Sequence, residues 1–208
     1  EINSINESTN EFLWINKTYS EITSSPTYYD GRLYFGTAEG RIICLDFASG
    51  KELWSYPISG SIYTSPLILG NSLIFGSDNG KLYSLDRISG GKLWEYKTGG
   101  ALKSSPGTCG KYIYFGSTSG IFYCLTQSGS LRWAFNTPET IVSTPALIEN
   151  YLIFTTYEGS IYCLNLNGKL IWKKLISPYT QSSPVAYDGI VYQNFSDGKL
   201  YAFNLKNG

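Results

Sequence analysis

Histidine and methionine are both absent from this 208-residue chain. Without histidine it lacks the commonest general base and the commonest protein ligand for a metal ion. Without methionine, and opening at Glu1, it reads as a processed or trimmed piece of something longer. No leader is visible in Glu1–Asn10, and a removed one would leave no trace. Charge is scarce: Asp, Glu, Lys and Arg make up 15% of the residues, against roughly 25% in an average soluble domain. The 16 basic and 16 acidic side chains cancel, which argues against a nucleic-acid partner, because no basic excess is available to neutralise phosphates. No apolar run approaches the ~18 residues of a membrane-spanning helix. Cysteine is limited to four residues with no C-x-x-C pair, so no zinc site can be assembled from motif spacing.

What the chain has in quantity is aromatic residues, at 16%, and 22 glycines. That mixture favours many short strands joined by tight turns. With 42% hydrophobic residues the chain is too apolar for disorder and long enough to bury a core, as roughly one domain.

A repeat of about 40 residues governs the order. Trp14, Trp54, Trp94, Trp133 and Trp172 are spaced by 40, 40, 39 and 39 residues. The prolines of a Ser/Thr-Ser/Thr-Pro signature, Pro26, Pro66, Pro106, Pro145 and Pro184, keep the same intervals. Within a unit, apolar runs of four to six residues alternate with Gly, Asn, Asp and Ser clusters, the pattern of four short strands. Four strands per ~40 residues predicts the blade of a β-propeller. The expected fold is therefore all-β, built of four-stranded antiparallel blades in one domain spanning 1–208. Its units are 24–63, 64–103, 104–142, 143–181 and 182–208. Residues 11–23 are a candidate closing strand for a five-blade ring. Against closure, Ile2–Asn6 aligns with Ile42–Asp46, a slot the last unit already fills with Leu200–Asn204. That duplication favours part of a larger ring of seven or eight blades.

The runs Leu45–Trp54 and Leu85–Trp94 resemble the tryptophan-docking motif of quinoprotein-like (PQQ-repeat) propellers: Asp, two residues, Ser or Thr, Gly, three residues, Trp. The copies ending in Trp133 and Trp172 are one residue shorter. The resemblance covers essentially the whole chain. It implies that Trp14, Trp54, Trp94, Trp133 and Trp172 are structural, each ring wedged between adjacent blades with its N–H bonded. By core precedent, removing Trp94 would cost roughly 3–5 kcal/mol. Cys44, Cys124 and Cys163 share one repeat position with Ser84 and Ala202, a small-residue packing slot. Cys109 stands where other units carry Tyr29, Leu69, Ile148 and Tyr187, an apolar strand position.

If the first strand of each unit lines the axis, the loops entering it share a face with the second hairpin turn. Those loops are Lys17–Thr23, Pro57–Tyr63, Lys97–Lys103, Asn136–Val142 and Leu175–Gln181. Tyr19, Tyr63, Lys103, Tyr179 and Gln181 vary there on a uniform scaffold, which is where a binding site is usually grafted. Glu39, Asp78, Glu158 and Asp197 complete the candidate ligand face from the turns, with solvated turn residues as the plainer reading.

The resemblance implies two functional classes. One is the pyrroloquinoline quinone and Ca²⁺ dehydrogenase, whose quinone lies between a Trp floor and a disulfide of adjacent cysteines. This chain has no adjacent cysteine pair, and all five Trp residues occupy the docking position. The other is the non-catalytic envelope scaffold that binds protein partners. The second class is expected here, as a scaffold binding a protein or an extended ligand on its axial face, with no catalytic, cofactor or metal residues assigned and an extracytoplasmic setting by family analogy. Sequons at Asn6, Asn16 and Asn194 are compatible with that setting. The alternatives are a quinone enzyme whose cofactor site is incomplete, and a carbohydrate-binding module using Tyr19, Tyr63 and Tyr179.

Overall fold

A computed structural model describes residues 1–9, 11–176 and 179–208; Asn10, and Ser177 and Pro178 of the expected loop Leu175–Gln181, lie outside the described residues. The chain begins with a hairpin of β1 (Ile2–Ile5) and β2 (Phe12–Asn16). The next sheet contains β3 (Thr27–Tyr29), β4 (Arg32–Gly36), β5 (Arg41–Asp46) and β6 (Glu52–Pro57). It is followed by β7 (Leu67–Leu69), β8 (Ser72–Gly76), β9 (Lys81–Asp86) and β10 (Lys92–Lys97). The third comprises β11 (Gly107–Thr108), β12 (Tyr112–Gly116), β13 (Ile121–Thr126) and β14 (Leu131–Asn136). The fourth comprises β15 (Ala146–Ile148), β16 (Tyr151–Thr155), β17 (Ser160–Asn165) and β18 (Leu170–Leu175). A fifth holds β19 (Val185–Tyr187), β20 (Ile190–Asn194) and β21 (Leu200–Asn204). Each sheet is an antiparallel meander in chain order. The fold is all-β, and its four-stranded sheets are the blades of a propeller.

Glu11–Trp14 does not close a ring in this structure. Among the described residues, Phe12–Asn16 pairs with Ile2–Ile5, Trp14 opposite Ser4, whereas Leu200–Asn204 pairs only with β20. The small hairpin satisfies the ladder that a closing strand would have needed from the last sheet.

The hydrophobic core is divided among the seams between neighbouring sheets. The second and third strands of the four complete sheets are nearly all buried, because both sheet faces are covered. Between the first and second sheets, Tyr34, Ile42 and Cys44 meet Leu73, Phe75 and Tyr83. Between the third and fourth, Phe122 stacks on Phe154 at 4.4 Å and Phe154 on Tyr162 at 5.1 Å.

The Ser/Thr-Ser/Thr-Pro signature has a hydrogen-bonding purpose. The first hydroxyl is buried at the inner end of each complete sheet and accepts the N–H that closes the second strand. Ser24 does so for Gly36 at 2.7 Å, Thr64 for Gly76 at 2.8 Å, Ser104 for Gly116 at 3.2 Å and Ser143 for Thr155 at 2.8 Å. It fills the place of a backbone carbonyl where the first strand has not yet begun.

Every fourth strand carries a bulge beside its tryptophan. The register sets Trp54 opposite Cys44, Trp94 opposite Ser84, Trp133 opposite Cys124 and Trp172 opposite Cys163. A small partner leaves room for the indole as it crosses to the next sheet. There each ring lies on a glycine of the following turn. A Cβ on Gly90 would fall 2.7 Å from Trp54, on Gly129 2.6 Å from Trp94, and on Gly168 2.7 Å from Trp133. These glycines have φ of +74° to +82°, so both the close approach and the backbone demand glycine. The indole N–H donates to a carbonyl of the same turn: Trp14 to Phe47 at 2.9 Å, Trp94 to Gln127 at 3.0 Å, Trp133 to Leu166 at 3.1 Å and Trp172 to Leu205 at 2.8 Å. Trp54 departs from this pattern. The Arg87 carbonyl accepts from the Tyr34 hydroxyl at 3.2 Å, and the Trp54 N–H is buried without a partner. Apart from buried Trp172 the indoles are half-buried, so the core figure of 3–5 kcal/mol is too high for Trp94; about 2–3 kcal/mol fits the partial burial.

Cys44, Cys124 and Cys163 are fully buried. Burial pushes the Cys124 and Cys163 thiols up to about 12 and raises that of Cys44. Cys109 differs from its expected strand position. The strand there ends at Thr108, whose hydroxyl is bonded to the Tyr112 carbonyl and the Gly110 N–H, and Cys109 is exposed just beyond it.

Candidate functional site

Each loop entering the second, third and fourth sheets is gripped by two turns. The N–H of Ile62 donates to Thr37 of the preceding sheet at 3.1 Å, while the Ser61 carbonyl accepts from Asp78 of its own sheet at 3.1 Å. Leu102 and Ala101 repeat the arrangement with Ser77 and Thr118, and Ile141 and Thr140 with Ser117 and Tyr157. The gripped residue is buried as Ile62, Leu102 and Ile141. The following side chain, at Tyr63, Lys103, Val142 and Gln181, then points away from the seam. Lys103, Val142 and Gln181, from three successive units, line one cavity of about 390 Å³ together with Thr118, Thr140 and Tyr157. Three repeat-equivalent residues thus converge on one cavity.

The last junction is shifted by one place. The Thr180 N–H donates to the Tyr157 carbonyl at 3.1 Å, one residue beyond the acceptor used at the other junctions. The shift brings Tyr179 onto Tyr157, with ring centroids 5.5 Å apart and an interplanar angle of 23°. Tyr179 and Gln181 border a second, open cavity of about 510 Å³ with Thr180, Ser182, Asn194, Phe195 and Ser196. Gln181 is thus shared by both cavities. At the other end of this band, the Lys103 ammonium lies 5.6 Å from the Tyr63 ring centroid. Among the described residues, Lys103 makes no salt bridge.

The structure therefore brings together Tyr63, Lys103, Tyr179 and Gln181 of the expected face. Tyr19 stands apart: it is 91% exposed, with φ of +55°, beside a separate cleft lined by Glu1, Lys17, Ser20 and Glu21. The four carboxylates do not form one set. Asp78 occupies the second place of its turn, equivalent to Ala38, Thr118, Tyr157 and Ser196, whereas Glu39, Glu158 and Asp197 occupy the third. Glu39 is exposed and borders none of these three cavities. Glu158 accepts the Thr140 N–H at 2.9 Å. Asp197 accepts from the Tyr201 hydroxyl at 2.8 Å, and that bond leads the causes that lower its carboxyl pKa, with Lys199 adding to it.

Sequence reasoning missed Thr118, Thr140, Val142 and Tyr157. Val142 sits at the repeat position of Lys103, and Tyr157 at that of Asp78, so strict alignment of the units would have found both. Glu139, also unremarked in the sequence, anchors the loop entering the fourth sheet. It accepts from Lys173 at 2.8 Å, from Thr156 at 2.6 Å and from Ser160 at 3.0 Å. Burial alone would raise its carboxyl pKa, but those three donors outweigh burial and hold it below the usual glutamate range.

The comparisons agree with this architecture. The sequence matches the PQQ-repeat family described as outer membrane protein assembly factor BamB over residues 1–105 and again over 78–208. No curated protein matches the sequence. Among solved structures, BamB from Moraxella catarrhalis superposes with a TM-score of 0.85 at 21% identity. The match covers 96% of this chain and 66% of that one, so the chain spans slightly less than two thirds of that protein's length. A europium-containing methanol dehydrogenase gives 0.64 at 16% identity over 73% of this chain and 41% of its own. The computationally designed Ika8 protein gives 0.59 at 14% over 91% and 72%. At these identities the likenesses speak to fold.

Proposed function

This chain belongs to the PQQ-repeat family described as outer membrane protein assembly factor BamB, and we propose that it is a non-catalytic propeller scaffold that binds a protein partner on its axial face. The observation that carries this reading is the contrast between neighbouring residues. The gripped position is apolar and buried at Ile62, Leu102 and Ile141, while the next one is Tyr63, Lys103, Val142 or Gln181, of which the last three border cavities. A uniform frame with varied side chains around a cleft is what a recognition surface requires. The assembly role in the family's description fits a protein partner and an extracytoplasmic setting in the periplasm or at the cell surface.

The quinone and Ca²⁺ reading is met by no suitable donor set. The axial cavities are lined by hydroxyls, amides, one ammonium and aromatic rings, without a carboxylate cage. Among the described residues no cluster of three His, Cys, Asp or Glu stands ready for a metal ion. The tryptophans lie on the docking turns, and no two cysteines are adjacent.

A benzophenone photocrosslinker placed at Lys103 or Gln181, compared with one at Phe47 beside a docking turn, tests the reading. Axial adducts to a polypeptide are expected, together with no saturable absorbance change on adding pyrroloquinoline quinone and Ca²⁺. Adducts from Phe47 alone, or quinone-dependent turnover, would overturn it.

A further inference from the structure

The Tyr157–Tyr179 stack has a feature that axial binding by itself does not require. The two rings face each other at 5.5 Å, and each borders a different cavity: Tyr157 the one with Lys103, Tyr179 the one with Asn194 and Phe195. The pair stands between the two cavities, with one ring lining each. A ligand that used the outer face of each ring would place one ring on either side. With about 3.5–4 Å for each aromatic contact, those ligand rings would lie about 13 Å apart. Extended polypeptide rises about 3.3 Å per residue, so this is the reach of four residues. An even spacing also keeps both side chains on one face of the strand.

Two further groups bear on the ligand. Gln181 borders both cavities, and its amide both donates and accepts, matching a peptide group crossing between them. Among the described residues, Lys103 is the sole charged one lining either cavity, on the Tyr157 side, which favours a carboxylate near the first ring.

We propose that Tyr157 and Tyr179 form a two-sided clamp for an extended polypeptide with aromatic side chains four residues apart and a carboxylate beside the first. This rests on the axial-face reading and names the partner's chemistry. The complete 208-residue chain would be titrated into a fluorescein-labelled octapeptide, GDFTSTFG. Matched probes are GDFFSTTG, with adjacent rings, and GNFTSTFG, without the carboxylate.

Saturable binding is expected to GDFTSTFG, at least tenfold weaker to GDFFSTTG. Tyr157→Ala and Tyr179→Ala should each weaken it at least tenfold, while Tyr157→Phe and Tyr179→Phe keep it, separating ring loss from misfolding. Lys103→Gln should weaken GDFTSTFG several-fold and leave GNFTSTFG unchanged. Equal affinity for both ring spacings, indifference to both alanine variants, or displacement of the probe by maltohexaose would overturn the clamp. Reduced, carboxymethylated α-lactalbumin separates the two levels. If that unfolded chain binds with Lys103 dependence while ring spacing has no effect, the clamp fails and the axial reading stands. If neither it nor any peptide binds, both fail.

Discussion

The seam between the third and fourth sheets and the seam between the fourth and fifth share one strand pattern and differ in chemistry at their inner ends. The first is aromatic: Phe122, Phe154 and Tyr162 stack, and Gly116 makes room for Ile141. In the second, Thr155 takes the glycine's place, Thr180 the isoleucine's and Gln193 that of Phe154. Gln193 is 1% exposed; its amide nitrogen donates to Ser182 Oγ at 2.6 Å and to the Asn194 carbonyl at 2.7 Å, and its Oε1 has no protein partner. At its inner end the first seam is filled by apolar contact and the second by directed hydrogen bonds, while farther out the second keeps an apolar cluster of Ile161, Trp172, Val191 and Phe203. The polar one also carries the shifted Thr180–Tyr157 bond that creates the tyrosine stack. Exchanging apolar for polar side chains at the inner end of this junction thus accompanies the formation of the candidate site.

The largest effect should come from emptying the aromatic seam. Phe154→Ala is expected to cost about 3–5 kcal/mol by urea denaturation, and Gln193→Ala only about 1–2 kcal/mol. Equal losses would break the comparison. The rim offers a second contrast. Trp133→Ala should cost about 2–3 kcal/mol. Trp54→Ala, whose indole N–H already lacks a partner, should cost about 1 kcal/mol less. A Trp54 loss equal to or larger than that of Trp133 would remove the hydrogen bond from the account.

The aromatic seam is also sensitive to acid, through the Glu139 anchor of its entering loop. The folded pKa of Glu139 is depressed, so its contribution is complete above the unfolded glutamate value, about 4.3. It is lost as pH falls through the lower folded value. Glu139→Gln is expected to cost roughly 1–2 kcal/mol at pH 7 and little at pH 3, read as thermal midpoints at the two pH values. A variant equally destabilised at both would show that the carboxylate charge is irrelevant. The smallest effect concerns the thiols. With Cys44, Cys124 and Cys163 buried and their thiol pKa values raised, a disulfide reagent should label only Cys109 in the native protein and all four cysteines in guanidinium. Rapid labelling of a second native thiol would contradict the packing of the slot beneath the tryptophans.

The legible part of the molecule was whatever repeats. Tryptophan and proline intervals located the strands, and the Cys/Ser/Ala slot was recognisable as small before its reason, the indole crossing opposite it, could be seen. The binding face was half legible. Tyr63, Lys103 and Gln181 stood out because they vary, but Asp78 was grouped with Glu39, Glu158 and Asp197 although it sits one place earlier in its turn. Tyr19 and Tyr179 are both variable, yet only Tyr179 reaches a neighbouring ring. That depends on a one-residue change of hydrogen-bond partner, and no side-chain pattern announces such a change. The Glu139 anchor was equally hidden, since its donors Thr156, Ser160 and Lys173 lie 17, 21 and 34 residues away.

Each indole and the glycine beneath it belong to different units of the chain. A gene segment encoding one whole period brings a ring for its successor and a seat for its predecessor. Adding or removing such a segment restores every joint without inventing a contact, whereas altering either half alone spoils one. Growth by whole periods is therefore tolerated at the joints, and the number of periods is limited by how the sheets must curve around their axis.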